Sequence, residues 1–464
     1  MRPQVVVVGG GISGLAAAWR LKLTRPDADI TVIEASARFG GKLISEHRDG
    51  FIVEGAADGF LARKPPALAW AEELGLSGEL IVPRPEHRFS HVLWDGALHR
   101  MPEGFSGLVP TDPEALKTTT LLTPEGVARV AAESAVPLKL DAAEESIAAF
   151  FTRRFGEEAF TRLLEPLLAG IYAGDASRLS ADAAFPQLTA IERAGKTLMT
   201  ALAPQPAPAN AGRDPAFRSF GGGMAALPAA LEARLRTLDV ALAAGTPVTG
   251  IARSGGGFVV RTASAEYATD AVIVALPPHA AGSLLGTAAS GAAAVLSAWP
   301  TSSVANLNLA FRSDGVELPG GSGFVVPRAA GLPFSAGTWS SRKWPGRAPD
   351  GLELARFYFG GAREPSLWTM PEDEMEQRAL DLLQRLTGSR PRPLWRRVFR
   401  WKDAFAQPDL GHAERHRALE AAAVPGLVFA GAYFAGVGIP DCLARAGQAA
   451  DAVDSYLKTA QTIR

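Results

Sequence analysis

Residues 5–21, VVVVGGGISGLAAAWRL, decide the fold. Four consecutive β-branched residues, Val5 to Val8, predict a strand buried on both faces, as parallel sheets require. Gly9, Gly11 and Gly14 follow at G-x-G-x-x-G spacing, and Leu15, Ala18 and Leu21 then recur at helical spacing. Each glycine meets a separate steric demand: a tight turn, the near approach of a pyrophosphate, and the packing of helix on strand. Phosphates placed there face a helix N-terminus, where free N–H groups and the macrodipole favour negative charge. ITVIEAS, from Ile30, predicts a second strand, and strand, helix and strand so joined are neighbours in a Rossmann-like sheet. At its end Glu34 stands twenty residues beyond Gly14, where an acid that accepts ribose hydroxyls is expected.

A chain of 464 residues exceeds one compact core, so two or three domains are expected, with room for a large ligand between them. From 124 to 170 the apolar pattern turns helical, with helices predicted over 144–155 and 157–168. ALAPQPAPANAGRDP, 201–215, alternates proline with small residues and predicts a loop. SFGGGMAALPAALEARL, from Ser219, predicts a helix after a glycine turn; residues 247–276 predict a β-meander turning at 255–257 and returning to a core strand at Val272. Residues 292–400 predict an antiparallel sheet with one helix over 372–386. The tail from Gly426 again gives strand, glycine turn and helix, so the two ends of the chain should meet in one nucleotide-binding domain. The expected class is α/β: a Rossmann-like domain from 1–85, 206–290 and 425–464, a mainly helical domain facing substrate or membrane from 86–205, and an interleaved sheet domain for substrate from 291–424.

The 47 Lys and Arg balance 48 Asp and Glu, so no global basic field exists to recruit nucleic acid. The single cysteine, Cys442, excludes an internal disulfide and a Cys-based cluster, and no metal site is expected. The N-terminus runs straight into a strand without the regions of a secretory signal, and no stretch reaches the roughly 18 apolar residues of a membrane span. A cytoplasmic protein is expected, with membrane contact at most peripheral.

Glu34, Arg38, Gly40 and Gly41 spell E-x-x-x-R-x-G-G, which resembles the glutathione-reductase-type flavoproteins and especially their amine oxidase branch. Across nearly the whole chain the stretches EGAADGFLARKP from Glu54, EPLLAGIYAGD from Glu165, GTWSSRKWPGRAPDG from Gly337, VFRWKDAFAQ from Val398 and GVGIPDC from Gly436 resemble the bacterial soluble porphyrinogen oxidases. The tryptophan-rich stretch and GIPDC are more similar to oxidases of coproporphyrinogen III than to those of protoporphyrinogen IX. The resemblance implies FAD, held without a covalent link, by Gly9, Gly10, Gly11, Ile12, Ser13, Gly14, Glu34, Ala35, Arg38, Gly41 and Lys42. It adds Ala56, Ala57, Asp58, Gly59, Val248, Trp401, Val437, Gly438 and Ile439 from distant segments. Two departures stand out. Ala56 and Ala57 replace the usual Gly and Pro, which predicts a less rigid backbone, and Ala406, Gln407 and Pro408 stand where P-Q-Y is common.

Coproporphyrinogen carries more carboxylates than protoporphyrinogen, so its pocket needs cations at both ends. Lys64, Arg63, Arg342 and Lys343 lie in matched segments and are the candidates, with Tyr172 beside them as a further substrate residue; each such cation alone is more often a solvated surface charge. The implied chemistry is loss of hydride to flavin, with dioxygen as acceptor and hydrogen peroxide as product, so the protein orients the macrocycle and no catalytic acid or base is assigned. For Asp441 and Tyr172 a helix N-cap and a core tyrosine are the commoner roles. The iron-inserting enzyme that follows in haem synthesis, ferrochelatase, is a possible partner. A protoporphyrinogen oxidase, an amine oxidase-like flavoenzyme and a non-catalytic binding protein remain alternatives on one scaffold.

Overall fold

The computed structural model describes residues 2–203, 215–434 and 436–463. Residues 204–214 of the proline-rich stretch predicted to be a loop lie outside them. Five parallel strands form the first sheet, in the order Ala241–Ala243, Asp29–Ile33, Gln4–Val8, Ala271–Val274 and Leu427–Phe429. Alternate residues of the central strand enter different cores. Val5 and Val7 pack with Leu15, Leu21 and Leu443 from the helices Ile12–Thr24 and Ile439–Ile463, whereas Val6 and Val8 pack with Phe258 and Val260 of the meander. Fully burying each such side chain contributes roughly 1.5–3 kcal/mol, which is why an unbroken valine run suits a strand covered on both faces. The meander of Val248–Ser254, Gly257–Thr262 and Glu266–Thr269 is present, and its chain re-enters the sheet at Ala271.

The second sheet has seven strands, in the order Pro393–Ala406, Thr301–Arg312, Leu352–Gly360, Ala336–Trp339, Gly323–Val325, His91–Trp94 and Ala97–Arg100. The sequence predicts an antiparallel sheet, but Gly323–Val325 and His91–Trp94 pair in parallel, so the sheet is mixed. The hairpin 91–100 belongs to a stretch assigned to the mainly helical part. Its turn, Asp95-Gly96, has positive φ at both residues (49° and 76°), the geometry of a tight hairpin, and that dipeptide is the signal that sequence reasoning passed over. Helix Glu372–Thr387 covers this sheet through Met375, Ala379, Leu382 and Leu383.

The helical layer packs around Phe150, Phe151 and Phe155 of helix Ile147–Phe155. The helix predicted over 157–168 continues to Tyr172 through a wider turn at Phe160–Leu164. Pro166 has no N–H to give the preceding turn, and the wider turn absorbs the missing bond. Among the described residues no helix is long and apolar enough to cross a membrane.

Candidate cofactor and substrate site

Strand Gln4–Val8 delivers the chain into the glycine turn, and Gly11 stands at the N-cap of helix Ile12–Thr24 in extended conformation, with no side-chain cap for the first N–H groups. Gly9 needs its freedom (φ 104°), and a Cβ on Gly14 would lie 1.9 Å from the Gly9 carbonyl oxygen. Those two glycines are explained by the protein itself. Gly11 is not: a Cβ there would meet only Gly41 Cα, at 3.8 Å. The space above it is open, as a pyrophosphate resting on the backbone requires. The second glycine pair crosses underneath, where Gly40 N donates to Gly10 O at 2.8 Å and a Cβ on Gly41 would lie 3.0 Å from Gly11 Cα. The cradle fits a dinucleotide such as FAD.

Glu34 is fixed at the end of its strand. One carboxylate oxygen accepts from Gly10 N at 2.7 Å, and the other accepts from Ser36 N and Oγ at 2.8 and 2.7 Å. A carboxylate offers about four acceptor sites, so directions remain for ribose hydroxyls. Ala35 lies between these anchors, and Thr246 N donates to Glu34 O at 2.8 Å, which draws the start of the meander at Val248 alongside. Arg38, though exposed, folds back over its own loop, donating to Phe39 O at 3.0 Å and Gly41 O at 2.5 Å, and partial desolvation lowers its pKa. It clamps the glycine loop. Lys42 donates to Ala404 O at 2.5 Å, and among the described residues its ammonium pairs with no carboxylate; burial pulls its pKa down. An anion or polar edge of a bound cofactor would complete its shell.

Ile12 packs partly into the core of the first sheet, Ser13 is buried, and Ile439 shares that core. Val437 instead packs with the helical layer, so the turn 436–439 is a joint between the two. Gly438 N donates to an Asp441 oxygen at 3.3 Å. Asp441 is not an N-cap, because helix Ile439–Ile463 has already begun. The loop Ala56, Ala57, Asp58 and Gly59 does not depend on the missing proline. Trp401 Nε1 and Asn306 Nδ2 both donate to Gly55 O, at 2.8 and 2.7 Å, and a Cβ on Gly59 would meet the Trp344 ring at 2.8 Å. Neither Asn306 nor the double use of the Gly55 carbonyl could be read from strand periodicity.

Three of the four candidate cations face carboxylates. Lys64 Nζ lies 2.7 and 2.8 Å from the Asp441 oxygens, Lys343 Nζ lies 3.0 Å from both Asp58 oxygens, and Arg342 binds Glu353 at 2.9 and 3.1 Å. Burial opposes ionisation of Asp58, but Lys343 and Arg356 outweigh it and hold the carboxyl well below its usual range. Arg63 is exposed beside Lys64. Tyr172 is buried, its hydroxyl donates to Ala184 O at 3.2 Å, and burial pushes its pKa well up; its ring belongs to the helical core. Gln407, one of the departures from the family pattern, donates to Tyr172 O and Ser302 Oγ, each at 3.0 Å.

Residues 12–454 match the family described as flavin containing amine oxidoreductase. Among curated proteins the chain is 33% identical to the coproporphyrinogen III oxidase of Bacillus subtilis (strain 168), over 98% of this chain and 99% of that one. It is 34% identical to the coproporphyrinogen III oxidase of Propionibacterium freudenreichii, over 97% and 90%. Among solved structures it is similar to a protein from Exiguobacterium sp. 255-15 assigned as a protoporphyrinogen oxidase, with a TM-score of 0.86, 30% identity and 99% of both chains covered.

Proposed function

Since the chain belongs to the family of flavin-containing amine oxidoreductases, we propose that this oxidoreductase converts coproporphyrinogen III to coproporphyrin III in haem synthesis. The reading rests on the identity of 33% over 98% of this chain and 99% of a coproporphyrinogen III oxidase. FAD, when bound, supplies the acceptor for the hydride that the reduced macrocycle loses. The residues of this chain do the rest. The Gly9–Gly14 turn and Glu34 hold the dinucleotide, the Gly55 carbonyl with its two donors fixes the loop beside it, and the turn 436–439 carries that order to the helical layer. Dioxygen is the proposed terminal acceptor, with hydrogen peroxide as product, in the cytoplasm and with an iron-inserting enzyme as the next user of the porphyrin. The domain division proposed is the one stated above, with the hairpin 91–100 added to the sheet domain.

The test feeds coproporphyrinogen III and protoporphyrinogen IX separately, prepared without air, and follows porphyrin fluorescence after air is admitted. A kcat/KM preference of about tenfold or more for coproporphyrinogen is expected, equivalent to about 1.4 kcal/mol of matched carboxylate. Equal or better turnover of protoporphyrinogen would replace this reading with the second one, which the Exiguobacterium structure favours.

A further inference from the structure

The paired strands Thr301–Arg312 and Leu352–Gly360 carry two unlike faces. Leu307, Leu309, Phe357 and Phe359 enter the apolar core under helix Glu372–Thr387. Their alternates point the other way, and the register sets Asn306 opposite Tyr358 and Asn308 opposite Arg356, so these four share one face. Asn306, Asn308 and Arg356 are at most 2% exposed. Burying polar groups in the middle of strands costs free energy, and among the described residues Asn308 Oδ1 finds no donor. Packing alone does not account for such a face.

What the face holds is the chain at Glu54 and Gly55. Arg356 donates to Glu54 O at 3.0 Å. Asn308 Nδ2 donates to Asn306 Oδ1 at 2.8 Å, and Asn306 Nδ2 donates in turn to Gly55 O at 2.7 Å, where Trp401 Nε1 is the second donor at 2.8 Å. Gly55 N is also engaged, by Ile44 O at 2.8 Å. There the hydrogen bonding stops: among the described residues the N–H groups of Ala56 and Ala57 have no partner. The peptide that joins Gly55 to Ala56 is trans, so with its carbonyl fixed on the second sheet its N–H points away from that sheet. On the other side Ala57 packs into one core with Ile12 and Ile439, the first residues of the helices Ile12–Thr24 and Ile439–Ile463. The charges lean the same way. Glu54 is held by Arg347 and Asp58 by Lys343, whereas Arg356 gives its Nε to Tyr358 Oη at 2.7 Å and makes no ion pair among the described residues.

We propose that Asn306 is a positioning residue for the bound flavin: its grip on the Gly55 carbonyl aims the Ala56 N–H at the electron-rich edge of the ring. Such a donor binds the reduced, negatively charged ring more strongly than the oxidised one, and so raises the reduction potential. Arg356, one peptide earlier on the same face, adds its positive field.

The test measures the reduction potential of FAD bound to Asn306→Leu, and to Asn306→Leu with Asn308→Leu, by anaerobic equilibration with a redox dye. Leucine nearly keeps the volume of asparagine, and the double variant removes both members of the buried pair, so the measurement stays readable if the single variant folds poorly. The preference for reduced over oxidised FAD should fall about tenfold, which lowers the potential by about 30 mV for a two-electron couple. Urea unfolding of the same FAD-loaded proteins is the control. A role confined to the fold moves the urea midpoint and leaves the potential unchanged, and an unchanged potential overturns the proposal. Amide hydrogen exchange over residues 55–59 gives a second reading: addition of FAD should protect Ala56 in the parent protein and protect it less in the double variant. Exchange at Ala56 that FAD leaves unaltered in the parent overturns the proposal as well.

Discussion

The ammonium of Lys64 and the carboxylate of Asp441, 377 residues apart in sequence, meet in a two-pronged contact of 2.7 and 2.8 Å. The lysine side chain is 47% exposed, so the pair contributes at most about 1 kcal/mol to folding. On the proposed reading that Lys64 meets a substrate carboxylate, its larger effect is on availability, because that carboxylate would compete with Asp441. Asp441→Asn should lower KM for the porphyrinogen by up to about fivefold, equivalent to that same kilocalorie, while Lys64→Ala raises it. Steady-state kinetics on both variants decide the matter, and a raised KM in Asp441→Asn would show that the carboxylate itself serves binding.

Glu34→Gln keeps the shape of the side chain but turns one acceptor into a donor facing the N–H of Gly10 or Ser36. FAD retention should fall by roughly 1.5–3 kcal/mol, the range for bonds to a charged group. Flavin released on dialysis of the variant, against parent protein at equal concentration, measures it; identical retention would remove Glu34 from the ribose site.

Lys42 is a partly buried ammonium that donates to the Ala404 carbonyl and lies 5.1 Å from the Phe405 ring centroid. Lys42→Met removes that charge at nearly constant volume. The flavin-free protein should gain about 1–4 kcal/mol of stability, as buried charges replaced by well-packed apolar groups do, while affinity for FAD declines. Urea unfolding without flavin and flavin titration give the two numbers, and a loss of stability in the flavin-free variant would show that the ammonium is already fully satisfied.

Burial, then His416 and Arg415, pull His412 from its ordinary value near 6.5 down to about 4. The half-buried ring packs 5.4 Å from that of Trp299 and 4.5 Å from that of His416. Between pH 6.5 and about 4 the unfolded chain therefore takes up a proton that the folded chain refuses. Stability must fall as pH falls through that window. His412→Gln should flatten this part of the slope in denaturant titrations at pH 7 and pH 5. An unchanged slope would mean that the ring is charged in the fold.

Much of the fold was legible because parallel strands and glycine turns write their requirements locally. Val5 to Val8, the glycine spacing and Glu34 all stand where their chemistry meets in space. The pairing of cations was not legible. Lys343 meets Asp58 and Lys64 meets Asp441 across hundreds of residues, and no spacing rule foretells which surface charges will be neutralised inside a chain folded back on itself. Asp95-Gly96, in contrast, was a readable hairpin signal, hidden only by the helical stretch that follows it.

The first sheet takes its strands from the opening of the chain, from its middle at Ala241–Ala243 and Ala271–Val274, and finally from Leu427–Phe429. During synthesis the glycine turn therefore emerges long before the strand and helix that close the sheet around it. The nascent polypeptide spends most of its translation with its phosphate cradle made but with the sheet beside it incomplete and an edge unpaired. A ribosome that stalls beyond the meander leaves a chain whose most recognisable motif is in place but whose sheet still lacks the last strand, Leu427–Phe429, and the helix Ile439–Ile463 packed against it.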